Sequence, residues 1–287
     1  FCNKVNIPFE VYAFSDRDDL QPKEIHSPVN EEGHHDRKCN PQFDAKEGAE
    51  NPITPHAFSL LNFVSSRMNK AEYKIAVRRL YFLAKERYSH MPPQFNLGCT
   101  PLNEAVVSAF NIVPQFQEET GVQIVNAVFL TDGQGHGMGC RGGYYNDTFL
   151  HDPVTKRDYK ADGNETNLYL RILKERTGCN VLGIYLNNAR NVAGLRYSFF
   201  NDEDVEGAVK TYKKSNYAVA SPNRTGYDEC YIIQANIGGD ETAMDNLTED
   251  ASYSKIKNAF IKSAGTIKTN KIIATKMIEV FASTLTK

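Results

Sequence analysis

The chain has 287 residues, with 33 lysines and arginines against 35 aspartates and glutamates, a formal net charge of −2. That balance gives no electrostatic ground for nonspecific nucleic-acid binding. No apolar run reaches the roughly 18 to 20 residues that cross a bilayer, so no membrane partner is expected. The length suits one large α/β domain or two small ones.

FCNKVN at the start carries neither the basic opening nor the apolar core of a signal peptide, so a cytoplasmic location is expected. Phe1 is not an initiator methionine, and the chain is expected to begin inside a longer product. The six cysteines are Cys2, Cys39, Cys99, Cys140, Cys179 and Cys230. None forms a CxxC pair, which argues against a zinc ribbon or thioredoxin-like site. Cys99 and Cys179 border apolar segments and suit buried, reduced thiols.

Val5 to Phe14, VNIPFEVYAF, is rich in β-branched and aromatic residues and predicts a strand. Residues 15–55 are polar, with several Pro, Gly and charged residues, and read as a long insertion or loop. Ala57 to Ser66 predicts a short helix. Asn69 then caps a longer one through about Tyr88, whose inner face is Tyr73, Ala76, Val77, Leu80, Ala84 and Tyr88. Pro101 to about Glu119 predicts a third helix, closed before Gly121. Val122 to Leu130 is nearly all apolar, as suits a parallel strand covered on both faces.

Asp132 to Gly143 is a glycine-rich loop, and Tyr145 to Tyr159 reads as a small hairpin around DPVTKR. Glu165 to Thr177 predicts a helix stopped by Gly178, followed by a buried strand over Cys179 to Leu186. Asp202 is expected to cap the helix in DEDVEGAVKTYKK. Asp228 to Ile237 reads as a strand. Residues 252–285 read as a C-terminal helical segment, interrupted around Gly265 to Asn270. Buried strands alternating with helices predict an α/β fold with a doubly wound, mostly parallel sheet and helices on both faces.

In such a sheet, ligands bind beyond the carboxyl ends of the strands. Asp132 stands at one such end, and Thr100 at the start of the helix that precedes the same strand. A hard cation such as magnesium takes hydroxyl, carboxylate and water oxygens. Thr100 alone reads as a helix N-cap before proline, and Asp132-Gly133 alone as a strand-ending turn. TPLNEA followed one helix later by FLTDG reads instead as two loops of one metal site. GQGHGMGCRGG lacks the Gly-Lys-Ser/Thr of a Walker A loop. It reads as a flexible rim beside Asp132, with Gly133, His136 and Arg141 available for contacts. His34, His35 and Cys39 read as a solvated surface cluster rather than a metal site.

CTPLNEAV and IVNAVFLTDG, with FCNKVNIPFEVYAFSD, LLNFVSSRMNKAEY and KTNKIIATKMIEVFA, resemble the von Willebrand factor A (vWA) domain of the cobaltochelatase CobT type, phage-encoded variety. The resemblance implies a single vWA-like domain over residues 1–287, lacking its first strand and most of its first helix. It implies a noncatalytic interaction module with a metal-ion-dependent adhesion site, working beside an AAA+ ATPase of the MoxR/CobS-like kind and a client protein. Thr100 and Asp132 would be the second-loop and third-loop ligands for Mg2+. The family's first-loop Asp-x-Ser-x-Ser is expected upstream of Phe1. A literal match, Asp250-Ala-Ser252-Tyr-Ser254, follows polar ETAMDNLTE and reads as a helix start. Without the first loop, magnesium binding is expected to be weak or absent. The alternatives are a cobalt or magnesium chelatase accessory subunit in tetrapyrrole metallation, and a peptidase-like hydrolase.

Overall fold

The computed structural model describes residues 2, 6–16, 58–85, 100–135, 137–138, 149–160, 164–235, 254–255, 258 and 268–284. The insertion expected at residues 15–55 lies almost wholly outside them, as do His34, His35, Cys39, His136, Arg141, Asp250 and Ser252.

The first pair of strands is β1 (Glu10–Asp16) and β2 (Phe58–Ser65), antiparallel from Glu10↔Ser65 to Asp16↔Phe58, with an irregularity between Val11 and Tyr12. The expected strand therefore starts later, after Pro8, and the expected helix over Ala57 to Ser66 is a strand. FSLLNFVS is a short apolar run that fits either element by periodicity. Pairing along the whole of β1 decides for the strand. Helix α1 (Lys70–Lys85) follows. The Asn69 side chain accepts from the N–H groups of Ala71 and Glu72 at 2.9 and 3.0 Å, and Glu72 accepts the Asn69 N–H at 2.9 Å, a reciprocal capping box. Of its expected inner face, Ala76 is buried, with Tyr81 beside it, while Tyr73, Val77 and Leu80 are half-buried. The side chain of Ala84 and all of Tyr88 lie outside the described residues. Arg67 bridges Glu10 of β1 and Glu119 of the next helix, α2 (Leu102–Thr120).

The main sheet joins β3 (Asn126–Thr131), β6 (Asn180–Asn187), β8 (Glu229–Gln234) and β7 (Tyr217–Val219), in the order β3-β6-β8-β7. β3 is parallel to β6 and β6 to β8, and β7 is antiparallel to β8. The fold is thus mixed α/β with a partly parallel sheet. β3 and β6 are adjacent and parallel, as their sequences predict, but β3 is not an interior strand. It begins at Asn126 and stands at the sheet edge among the described residues, and Leu130 is 45% exposed. Its apolar run is long enough for two covered faces, but within β3 only Phe129 is buried.

Alternation along β6 and β8 sends side chains to two cores. Val181, Cys230 and Ile232 pack with α2, with α3 (Glu165–Thr177) and with α5 (Val205–Ser215), through Val106, Phe110, Leu170, Leu173, Ala208 and Tyr212. Leu182, Ile184, Tyr231 and Ile233 meet Ile272, Ile273, Met277 and Val280 of α7 (Lys268–Thr284). Each fully buried Leu or Ile contributes about 1.5–3 kcal/mol relative to exposure, so both faces anchor the sheet. The α7 face carries a polar fastener too. The Lys276 ammonium lies 4.6 Å from the Tyr217 ring centroid and 5.4 Å from that of Tyr231, and 2.7 Å from Glu279.

α3 has the bounds its sequence predicts. Asn164 caps it by accepting the Asn167 N–H at 3.2 Å, and Gly178 ends it at φ 66°, where a side chain would be strained. Asp202 does not cap α5. The N-cap is Asp204, whose carboxylate accepts from Ser221 and Asn201, while Asp202 pairs with Arg196. The predicted hairpin is β4 (Phe149–Asp152) and β5 (Arg157–Lys160). Asp152 is 2% exposed and accepts from the N–H groups of Val154 and Thr155, from the Thr155 hydroxyl, and from Arg176 of α3. The Arg176 guanidinium lies 4.6 Å from the Phe110 ring centroid. This pair clamps the hairpin to α2 and α3. Two short helices, α4 (Arg196–Phe199) and α6 (Pro222–Thr225), complete the layer above β6 and β8.

Candidate functional site

α2 does not begin as a Thr100-capped helix. Pro101 is the N-cap residue, without a side-chain cap, and the Leu102 N–H bonds the Thr100 carbonyl at 2.8 Å. The Thr100 hydroxyl faces the loop after β3. A Cβ placed on Gly133 would overlap that hydroxyl and stand 3.2 Å from Thr100 Cβ. The TPLNEA and FLTDG loops thus meet in a direct Thr100–Gly133 apposition, with Asp132 the residue before Gly133. Thr131 holds the turn, its hydroxyl accepting the Gly133 N–H at 3.1 Å. Asp132 is exposed, and neither its carboxylate nor the Thr100 hydroxyl has a hydrogen bond among the described residues. Asp132 faces Tyr185 of β6, whose phenol is pushed up first by burial and then by the Asp132 charge.

Gly133, Gly135 and Gly137, the described glycines after Asp132, each pack closely against a neighbouring side chain. A Cβ on Gly135 would stand 2.9 Å from Asn103 Oδ1 and one on Gly137 3.1 Å from Glu165 Oε1. The Met138 N–H donates to Glu165 at 2.6 Å. The starts of α2 and α3 are joined by the Thr166 hydroxyl donating to Asn103 at 2.7 Å.

As a cation site, this donor set supplies one carboxylate and one hydroxyl. Among the described residues no group of three His, Cys, Asp or Glu side chains converges. The set fits an open, partial shell for a hard cation, with water or a partner's oxygen completing it. It does not fit a closed structural site.

A second feature escaped the sequence reading. A cleft of about 700 Å³ opens over Gly183 in the middle of β6. Its wall includes Tyr185 and Phe199, with ring centroids 4.9 Å apart, and its rim includes Gln134, Asn164, Asn167, Ser198, Asn223 and Arg224. The signal was present in NETN at 164–167 and SPNRTG at 221–226, two amide-rich turns at helix ends. Each reads as a loop by itself. Cys230 also lines the cleft, but burial pushes its thiol up to about 12, which leaves it un-ionised and inert near neutrality.

Among the described residues no helix is long and apolar enough to cross a membrane. No family model, curated protein or solved structure matches this chain.

Proposed function

We propose that the chain is a noncatalytic interaction module of the vWA kind, in which Thr100 and Asp132 hold a divalent cation that a partner's carboxylate completes. The observation that carries this reading is the Thr100–Gly133 apposition. It brings a hydroxyl that caps no helix against the residue after an exposed aspartate, which has no hydrogen-bond partner among the described residues, at the carboxyl end of a parallel strand. In this reading the sheet is the remaining part of a doubly wound one, residues 15–55 are an insertion, and the partner is an AAA+ ATPase of the MoxR/CobS-like kind acting on a client protein. Magnesium suits the hard oxygen donors and the open shell. In this reading His136 and Arg141 are also contacts for the partner. The chain contributes recognition, and the ATPase contributes the energy for work on the client.

The test is a pull-down of an AAA+ ATPase ring by the protein carrying the expected first-loop Asp-x-Ser-x-Ser upstream of Phe1, in magnesium and in EDTA, for the wild type, Asp132→Ala and Thr100→Val; residues 1–287 alone are expected to behave like the variants. Binding that needs magnesium in the wild type, and that falls to the EDTA level in both variants, is the expected result. Equal, EDTA-insensitive binding by all three proteins would sink the cation reading.

A further inference from the structure

We infer that the cleft over β6 is a second binding site, one that takes an extended peptide segment of a partner by its main chain. The inference does not rest on the cation reading, since neither Thr100 nor Asp132 lines the cleft.

Four carboxamides lining the cleft are only half used among the described residues. Asn164 accepts the Asn167 N–H through Oδ1, and its Nδ2 has no partner among the described residues. Asn223 accepts from Asn201 through Oδ1, again leaving Nδ2 open. Asn167 donates through Nδ2 to the Arg224 carbonyl at 2.8 Å, leaving Oδ1 open. Gln134 donates through Nε2 to Ser198 at 2.6 Å, leaving Oε1 open. Two donors and two acceptors without a partner among the described residues thus belong to side chains that line one cleft, each with its carboxamide already anchored at the other end. An anchored side chain loses little further freedom on binding. A peptide backbone offers the matching set, since each unit carries one N–H donor and one C=O acceptor. A carboxamide offers a donor and an acceptor whichever way it is turned.

Size, apolar lining and charge agree with that occupant. About 700 Å³ falls inside the roughly 300–1,000 Å³ of ordinary ligand sites. Tyr185 and Phe199 line the wall, and Tyr197, 75% exposed, stands at the mouth, where it can cover an apolar side chain. The charged lining residues are Arg224 and Glu165. Arg224 uses Nε on Asn201 at 3.1 Å, and its terminal nitrogens have no partner among the described residues, so one acidic side chain or a terminal carboxylate is welcome. A nucleotide is disfavoured. Glu165 occupies the first position of α3, where a phosphate would otherwise lie, and one guanidinium leaves a polyphosphate uncompensated.

The probe is an array of random-sequence octapeptides, acetylated and amidated, screened against the full chain in EDTA. The tightest peptide is then titrated by fluorescence anisotropy. Asn223→Leu and Gln134→Leu, both at exposed positions, are each expected to weaken binding about tenfold, while Asn223→Gln retains most of it. Ser198→Trp, which fills the mouth, is expected to abolish it. Thermal melts establish that each variant is folded, and the exposed substitutions keep the test decisive if Ser198→Trp does not fold. Binding that persists in EDTA and in Asp132→Ala separates this cleft from the cation site. The inference is overturned if no octapeptide binds more tightly than about 1 mM, if Asn223→Leu and Gln134→Leu bind like the wild type, or if ATP or oligo(dT) displaces the peptide.

Discussion

Asp132, just after β3, and Asp152, at the end of β4, hold the same kind of position, an acid at the point where a strand turns. Their surroundings differ in every respect that matters. Asp152 is buried under a turn, two backbone N–H groups, a hydroxyl and the Arg176 guanidinium. Asp132 is exposed and takes none of these. An acid with all its oxygen lone pairs occupied holds the fold together. An acid left open at a strand's carboxyl end is free for a ligand. The local sequences, DPVTKR and TDG, both read as turns; what separates them is what the tertiary structure brings to the carboxylate.

The contrast is broken most forcefully at Asp152. Asp152→Ala leaves Arg176 half-enclosed without its anion, and such losses cost about 3–5 kcal/mol. A fall in the thermal midpoint of well over 5 °C is expected, by calorimetry. Acid repeats the effect more gently. Burial pushes the Asp152 carboxyl up, but the bonds from Arg176, Thr155 and Val154 outweigh it and hold the group well below the ordinary range. The unfolded chain therefore takes up this proton first, near pH 3.9. The contribution is whole above that value and is lost as pH falls below it. The variant's melting temperature should consequently fall less steeply than the wild type's between about pH 5 and 3. Equal slopes would mean that Asp152 is not the group responsible.

The next effect sharpens the comparison at Asp132's neighbour. Gly133→Ala places a methyl group on the Thr100 hydroxyl, and about 1–2 kcal/mol of destabilisation is expected. Thr100→Ala removes the hydroxyl but keeps the Cβ at 3.2 Å, so Gly133→Ala should cost clearly less in the Thr100→Ala background than in the wild type. A coupling below about 0.5 kcal/mol in this cycle, measured by urea unfolding, would show that the two loops do not touch. Smallest of all is Asp132→Ala. An exposed acid with no hydrogen-bond partner among the described residues should change stability by less than about 0.5 kcal/mol, against the much larger loss at Asp152.

Much of the scaffold was legible along the chain. Asn164 and Gly178 announce both ends of α3, and DPVTKR announces the hairpin turn, because caps and turns are chemistry between near neighbours. β2 was not legible, since FSLLNFVS becomes a strand through pairing with residues about 50 positions earlier. The covering of β3 was overread because an apolar run states what a strand tolerates, not how many neighbours it has. Thr100 and Asp132 could be proposed together from the sequence because each stands at the boundary of an element. The cleft was invisible for the opposite reason. Its contacts join Gln134 to Ser198 and Asn167 to Arg224, residues 64 and 57 positions apart, and no local pattern records that meeting.

The ammonium of Lys276, between two tyrosine rings and beside Glu279, makes α7 a chemical reporter. Burial lowers the basicity of this amine, but Glu279 and Tyr217 outweigh that and raise it overall. The group is thus both shielded and protonated where amine-acylating reagents attack exposed lysines. Its acylation rate should track the opening of α7 from the sheet, while Lys210, exposed on α5, sets the unprotected rate. In a chain with no tryptophan to serve as an optical probe, mass-spectrometric readout of that one lysine would measure how tightly the helix seals the far face of the sheet.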